Sequence, residues 1–248
     1  LVRIALDKFV AEAESSRGVS ADRRATSDVA SAVRALMSRY VLPNLPAYAS
    51  LSPNTFRDWK LYGPEVERIF LSHRASLKCI YAHYAGADAD ASGHQGELMS
   101  AGEWMALLRD VSLLDDAFTK REAYLCFVWS QMFVTDEVRR REKLMHCTYL
   151  DFCEALARVT TFKYMPTDEE MAAKGAISCA HFFSILIRDG DMKHFALTKR
   201  LDPVLEQREG RELTETLSKL ISLIIHRLDQ TGDGTITKKD FELKGKVG

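Results

Sequence analysis

Three short strings limit what this chain can fold into: Ser100-Ala-Gly-Glu103, Thr119-Lys-Arg-Glu122 and Thr167-Asp-Glu-Glu170. Each is a helix start. The hydroxyl accepts from the amide three residues on, and the glutamate reaches back to the amide of the hydroxyl residue. Apolar residues then recur at spacings of three and four. They are Trp104, Leu107, Leu108 and Val111 after the first string, Ala123, Phe127 and Phe133 after the second, and Met171 onward after the third. The same period marks residues 1–15 through Leu6, Phe9, Val10 and Ala13, and the segment from Ser27 through Val29, Val33, Leu36, Met37 and Tyr40. It continues behind Pro64 to Tyr84, across 149–160, and from Leu213 to Leu228. Strand-like alternation does not persist, so the expected fold class is all-α with about nine or ten helices.

Breaks in that pattern organise the chain. The stretch LPNLPAYASLSPN holds three prolines and reads as a linker or extended strap, the best candidate for a domain boundary. Residues 85–96 (AGADADASGHQG) read as a loop. The expected organisation is N-terminal helices and the Pro-rich strap over 1–62, a helix-loop-helix pair over 63–165, and a C-terminal helical region over 166–248.

The formal net charge of -1 gives nucleic-acid binding no electrostatic basis. The longest apolar run, near Leu217–Leu228, is broken by Ser, Lys and His, so no membrane span is expected. The chain opens on Leu1 and is expected to be part of a longer protein. Five cysteines without CxxC spacing read as buried thiols in a reducing compartment.

The stretch DQTGDGTITKKD, Asp229 to Asp240, carries the chemistry. An EF-hand loop places oxygen ligands at positions 1, 3, 5, 7, 9 and 12, with glycine at 6. Here those positions are Asp229, Thr231, Asp233, Thr235 (through its carbonyl), Thr237 and Asp240, with Gly234 at the turn. The expected ion is calcium. Asp240 is one methylene shorter than the usual glutamate, which favours a smaller shell and shifts preference toward magnesium. Ile236, at position 8, is expected to pair with a second loop in a short two-stranded contact.

Two cryptic loops share the closing pattern of apolar, acidic and apolar residues: Met99, Glu103 and Trp104, then Cys147, Asp151 and Phe152. Their ligand positions fail. Counting back gives Ser92, His94 and Gly96 in one, and Arg140, Glu142 and Leu144 in the other, beside Arg139, Arg141 and Lys143. Both are expected to be ion-free.

Residues 63–170 resemble EF-hand-like modules of flagellar and ciliary proteins. The pieces that carry the resemblance are LYGPEVERIFLSHRASLKCIYAHY, ELMSAGEWMALLRDVSLLDD, FTKREAYLCFVWSQMFV and YLDFCEALARVTTFKYMPTDEE. A weaker resemblance runs to the tubulin polymerisation-promoting protein family. Together they imply association with tubulin or an axonemal complex, and a place in the cytoplasm, on the cytoskeleton or in the flagellar axoneme.

Seven histidines show no zinc spacing, and no hydrolase, P-loop, dinucleotide or kinase signature is present. The basic run Val138–Lys143 is expected to be a solvated loop, or else a contact for an acidic partner such as the tubulin surface. Trp104 and Trp129 are expected in the core, whereas Trp59, beside the strap, is the one that could meet a partner. The sequence therefore points to a non-catalytic adaptor with one calcium or magnesium site. Its alternatives are a calcium-insensitive microtubule-lattice protein and a regulatory segment of a larger enzyme.

Overall fold

A computed structural model describes residue 4 and residues 29–45, 52–85, 98–131, 139 and 145–247. The expected first helix apart from Ile4, the Arg-rich connection after it, residues 46–51 of the strap, the 86–97 loop and the run Val138–Lys143 apart from Arg139 lie outside the described residues. The chain divides into two compact units, 1–51 and 52–248. In the first, α1 (Val29–Leu36) continues through a π-helical turn, Met37–Val41, and a 3-10 turn, Leu42–Asn44. Ala32 and Leu36 form its buried cluster.

The second unit is helical around one core that runs in sequence from Phe56 to Ile236. It opens with α2 (Pro53–Phe56), capped by Ser52, and a π-helical turn, Arg57–Leu61. The periodic segment behind Pro64, which reads as one helix, is two: α3 (Pro64–Ser72) and α4 (Arg74–Tyr84). His73, at φ −104° and ψ 10°, separates them. The break lets the halves serve different neighbours. Helix α3 packs on α12 (Leu213–Leu228), while α4 packs on α5 (Ala101–Asp110) and α7 (Tyr149–Val159).

Helix α6 (Lys120–Ser130) lies along α7 in the most extensive helix pairing among the described residues. All three capping boxes read from the sequence form, at Ser100, Thr119 and Thr167. A fourth, Thr148 with Asp151, opens α7. The segment after Thr167 holds four helices: α8 (Asp168–Ala173), α9 (Cys179–Asp189), α10 (Met192–Thr198) and α11 (Pro203–Arg208). Ser178 and Asp202 each cap a fresh start, so capping chemistry re-initiates the helix where the apolar stripe is interrupted. With α13 (Lys238–Val247), the described residues hold thirteen α-helices, so the all-α expectation is met with more and shorter elements.

A buried ion triad ties this unit together. Glu154 on α7 receives Arg57 Nε at 2.8 Å and Arg158 Nε at 2.8 Å. Arg57 also donates to the carbonyls of Trp129, Ser130 and Gln131 at 3.4, 3.0 and 3.2 Å, meeting the negative end of α6 with a cation. The Arg158 guanidinium lies 4.6 Å from the Phe56 ring centroid. One carboxylate thus holds α2 against α6 and α7.

Candidate functional site

The region of interest begins with the two strands. β1 (Met99–Ser100) and β2 (His146–Cys147) pair antiparallel, Met99 opposite Cys147 and Ser100 opposite His146. Met99 and Cys147 are the residues that sequence spacing placed at equivalent points of the two cryptic loops. Each strand runs straight into a helix cap. The Ser100 amide donates to Glu103 Oε2 at 2.7 Å, and the Thr148 amide to Asp151 Oδ2 at 2.9 Å. From beneath, Tyr81 donates its hydroxyl to the Cys147 carbonyl at 2.8 Å. Trp104, fully buried, donates Nε1 to the Ala123 carbonyl at 3.0 Å. Both acids that close the cryptic loops serve as helix caps. The positions counted back from them, Ser92, His94, Gly96, Arg140, Glu142 and Leu144, lie outside the described residues.

The C-terminal loop hangs between α12 and α13. Gly232 and Gly234, at φ +76° and +78°, make the tight turn that an L side chain would strain. Asp229 Oδ1 accepts from the Gly232 amide at 2.6 Å, and its Oδ2 from the Gly234 amide at 2.7 Å. Thr231 adds its hydroxyl at 3.1 Å. Asp233 Oδ1 accepts from the amide and hydroxyl of Thr235 at 2.8 and 2.7 Å. Thr231, Asp233, Thr235 and Thr237 are exposed, Asp229 is half-buried, and Asp240 is fully buried.

Asp240 is the centre of the loop. Its Oδ1 accepts from the amides of Gln230 and Thr231 at 2.9 and 3.1 Å. Its Oδ2 accepts from the amide and hydroxyl of Thr237 at 2.8 and 3.0 Å. A carboxylate offers about four lone-pair sites, and four donors fill them. Burial opposes ionisation here, but the donors outweigh it and hold the carboxyl down at about 2. Asp229 is shifted the same way: burial opposes, and the Gly234 and Gly232 amides prevail.

The loop's oxygens are hard donors, and three carboxylates with threonine hydroxyls fit calcium or magnesium in kind. Any ion taken with Asp240 as a ligand competes with its four protein donors. Among the described residues, no group of three or more His, Cys, Asp or Glu side chains converges as a metal cluster.

Ile236 departs from expectation. It joins no strand among the described residues. Its buried amide instead donates to Ser76 Oγ on α4 at 3.0 Å. The strand partners it could have used are already paired with each other. Its helix docks beside it: Phe241 stacks on His83 with ring centroids 3.7 Å apart and planes 8° from parallel, and Lys244 bonds Asp110 at 2.8 Å.

No family model, curated protein or solved structure matches the chain.

Sequence reasoning missed the roles of Thr148 and Ser76 for different reasons. Thr148–Asp151 is a capping box with aspartate in place of glutamate, so a wider pattern finds it. Ser76 is a lone serine inside a helix, and no local signal marks it. Among the tryptophans, Trp59 is 58% exposed with the Arg208 guanidinium 5.8 Å from its ring centroid, while Trp129 packs partly buried against the core.

Proposed function

We propose that this chain is a non-catalytic adaptor of the EF-hand type, working in a flagellar or microtubule-associated assembly. The observation that carries this reading is the pairing of Met99 with Cys147. Two residues at the eighth position of two separate loops meet as partners in one ribbon, and each loop then closes on a hydroxyl–acid cap. In this reading the pair is a rigid scaffold that needs no ion, since Glu103 and Asp151 hold helix starts. Burial raises every cysteine, which leaves none of the five poised as a thiolate nucleophile. Cys153 and Cys179 go up to about 11, and Cys147 to about 12. The microtubule setting rests on the sequence resemblance.

Asp229, Thr231, Asp233, Thr235, Thr237 and Asp240 are the residues that would hold calcium or magnesium in the C-terminal loop. A bound cation would neutralise the carboxylates and stiffen the link between α12 and α13. A second reading, a calcium-insensitive structural protein, is favoured by Asp240, whose four donors hold the loop closed from within.

Thermal melts separate the two. An ion-binding loop raises the melting temperature in calcium or magnesium, by about 2.7 kcal/mol of stability at a hundredfold excess over Kd, and Asp229→Ala with Asp233→Ala abolishes the gain. An unchanged melt in millimolar calcium and magnesium selects the second reading. Co-sedimentation with microtubules or axonemal fractions tests the setting, and full recovery in a detergent- and salt-extracted soluble pool overturns it.

A further inference from the structure

A groove opens between α3, the first turns of α4 and the start of α7, with a volume of about 950 Å³. Val66, Phe70 and Leu71 line one side, and Tyr149, Leu150 and Cys153 the other. That volume lies at the upper end of small-molecule sites, yet the walls stand open to solvent. Leu150 is 75% exposed, Tyr62 68% and Leu71 54%. Contiguous apolar surface of this kind marks a protein-docking face.

The exposed charges at the groove lean basic, Arg74 and Lys78 against Glu67. Arg74 and Lys78 sit one turn apart on α4, both exposed on the lining. Neither forms an ion pair among the described residues, and Lys78 Nζ hangs 5.8 Å from the Tyr149 ring centroid. The carboxylates at the α7 wall are buried and engaged, Asp151 by the Thr148 cap and Glu154 by Arg57 and Arg158. Glu67 is the exposed acid of the lining. The groove therefore combines an apolar floor with two cations on the α4 side and a single exposed carboxylate, Glu67, on the α3 side, with no ion pair between them.

We infer that this groove docks an acidic amphipathic helix of a partner protein, its apolar stripe on Phe70, Leu71 and Leu150 and its carboxylates on Arg74 and Lys78. A helix fits better than an extended strand. The groove is walled by helices, with no free sheet edge among its lining residues to bond a partner's backbone, whereas a helix satisfies its own backbone and needs only apolar anchors. Two cations above an apolar floor make too small a basic field for nucleic acid. The proposal deepens the adaptor reading by naming the partner's chemistry. It is independent of microtubules and of any ion in the C-terminal loop.

The test uses the full chain and three synthetic helical peptides with the same leucine stripe and flanking positions of Glu, Gln or Lys. Fluorescence anisotropy should rank them Glu, Gln, Lys, with about tenfold between the first two. Arg74→Glu with Lys78→Glu should invert the order, and Leu150→Asp should abolish binding of all three. Hydrogen exchange should show the Glu peptide protecting α3 and the start of α7. The substituted side chains are exposed, so melts of these variants should match the parent, and Leu150→Gln supplies a milder second variant. Equal binding of the three peptides, or binding of none, overturns the proposal. So does a dimer of the chain that Leu150→Asp disperses, since a second copy would then be the occupant. Loss of microtubule co-sedimentation with the peptide ranking intact rejects the microtubule setting and leaves the groove assignment standing.

Discussion

The loops that end at Glu103 and Asp151 and the loop Asp229–Asp240 share one closing device and differ in what backs it. In all three, the amide of a hydroxyl residue donates to the side chain of an acid three positions later at the start of a helix. The first two loops then brace each other through Met99 and Cys147, above a floor of Tyr81, Trp104 and Phe152. The third has no strand partner among the described residues. It relies on its own donors, on Ser76 and on the stacked ring of His83. The difference is one of depth. The paired loops stand on a core with a buried ion triad, whereas the C-terminal loop reaches that core through Ile236 and leaves most of its other residues exposed. Cooperative units of this kind open at different free energies, and the C-terminal loop should open first.

Three experiments press on that contrast. The largest effect is expected from Glu154→Ala, which leaves Arg57 and Arg158 buried without their carboxylate and should cost about 3–5 kcal/mol in urea unfolding. If the C-terminal loop were as deeply fastened as the pair, a substitution there would match it. Ser76→Ala removes the acceptor for the buried Ile236 amide and should cost about 1–3 kcal/mol. Hydrogen exchange should place the new opening in the loop and α13, while α5 to α7 keep their protection. Equal loosening of both regions would erase the distinction.

The smallest effect is a pH dependence. Burial lowers the pKa of His83, with Lys244 acting in the same direction and Asp110 against. The unfolded chain therefore takes up a proton at higher pH than the folded one. The stabilising contribution of neutral His83 is complete above the unfolded value of about 6.5 and is lost as pH falls through the folded one. Protection factors at α13, taken relative to the intrinsic exchange rate at each pH, should fall between pH 7 and pH 5, and His83→Gln should flatten that response. A flat profile in the parent would show that the stack on Phe241 does not depend on the charge of His83.

Much of this was legible beforehand because it is local. Ser100, Thr119 and Thr167 cap their helices within four residues of chain, and Leu217, Leu220, Ile221, Ile224 and Leu228 line one stripe of α12. The turn at Gly232 and Gly234 follows from residues that tolerate positive φ. The break at His73 was not legible, because the apolar period runs through it and only the separate partners of α3 and α4 divide it.

The sequence by itself determined the helical class, the helix starts and the residues of the C-terminal loop, since each depends on hydrogen bonds and spacing within a few residues. It also singled out Met99 and Cys147 as equivalent points. Only the tertiary structure decided that these two would pair with each other, that Ile236 would turn to Ser76, and that Glu154 would gather Arg57 and Arg158. Those choices join residues 48, 160 and 97 positions apart. At such separations no local pattern constrains the partner. The packing of the helices decides which groups meet.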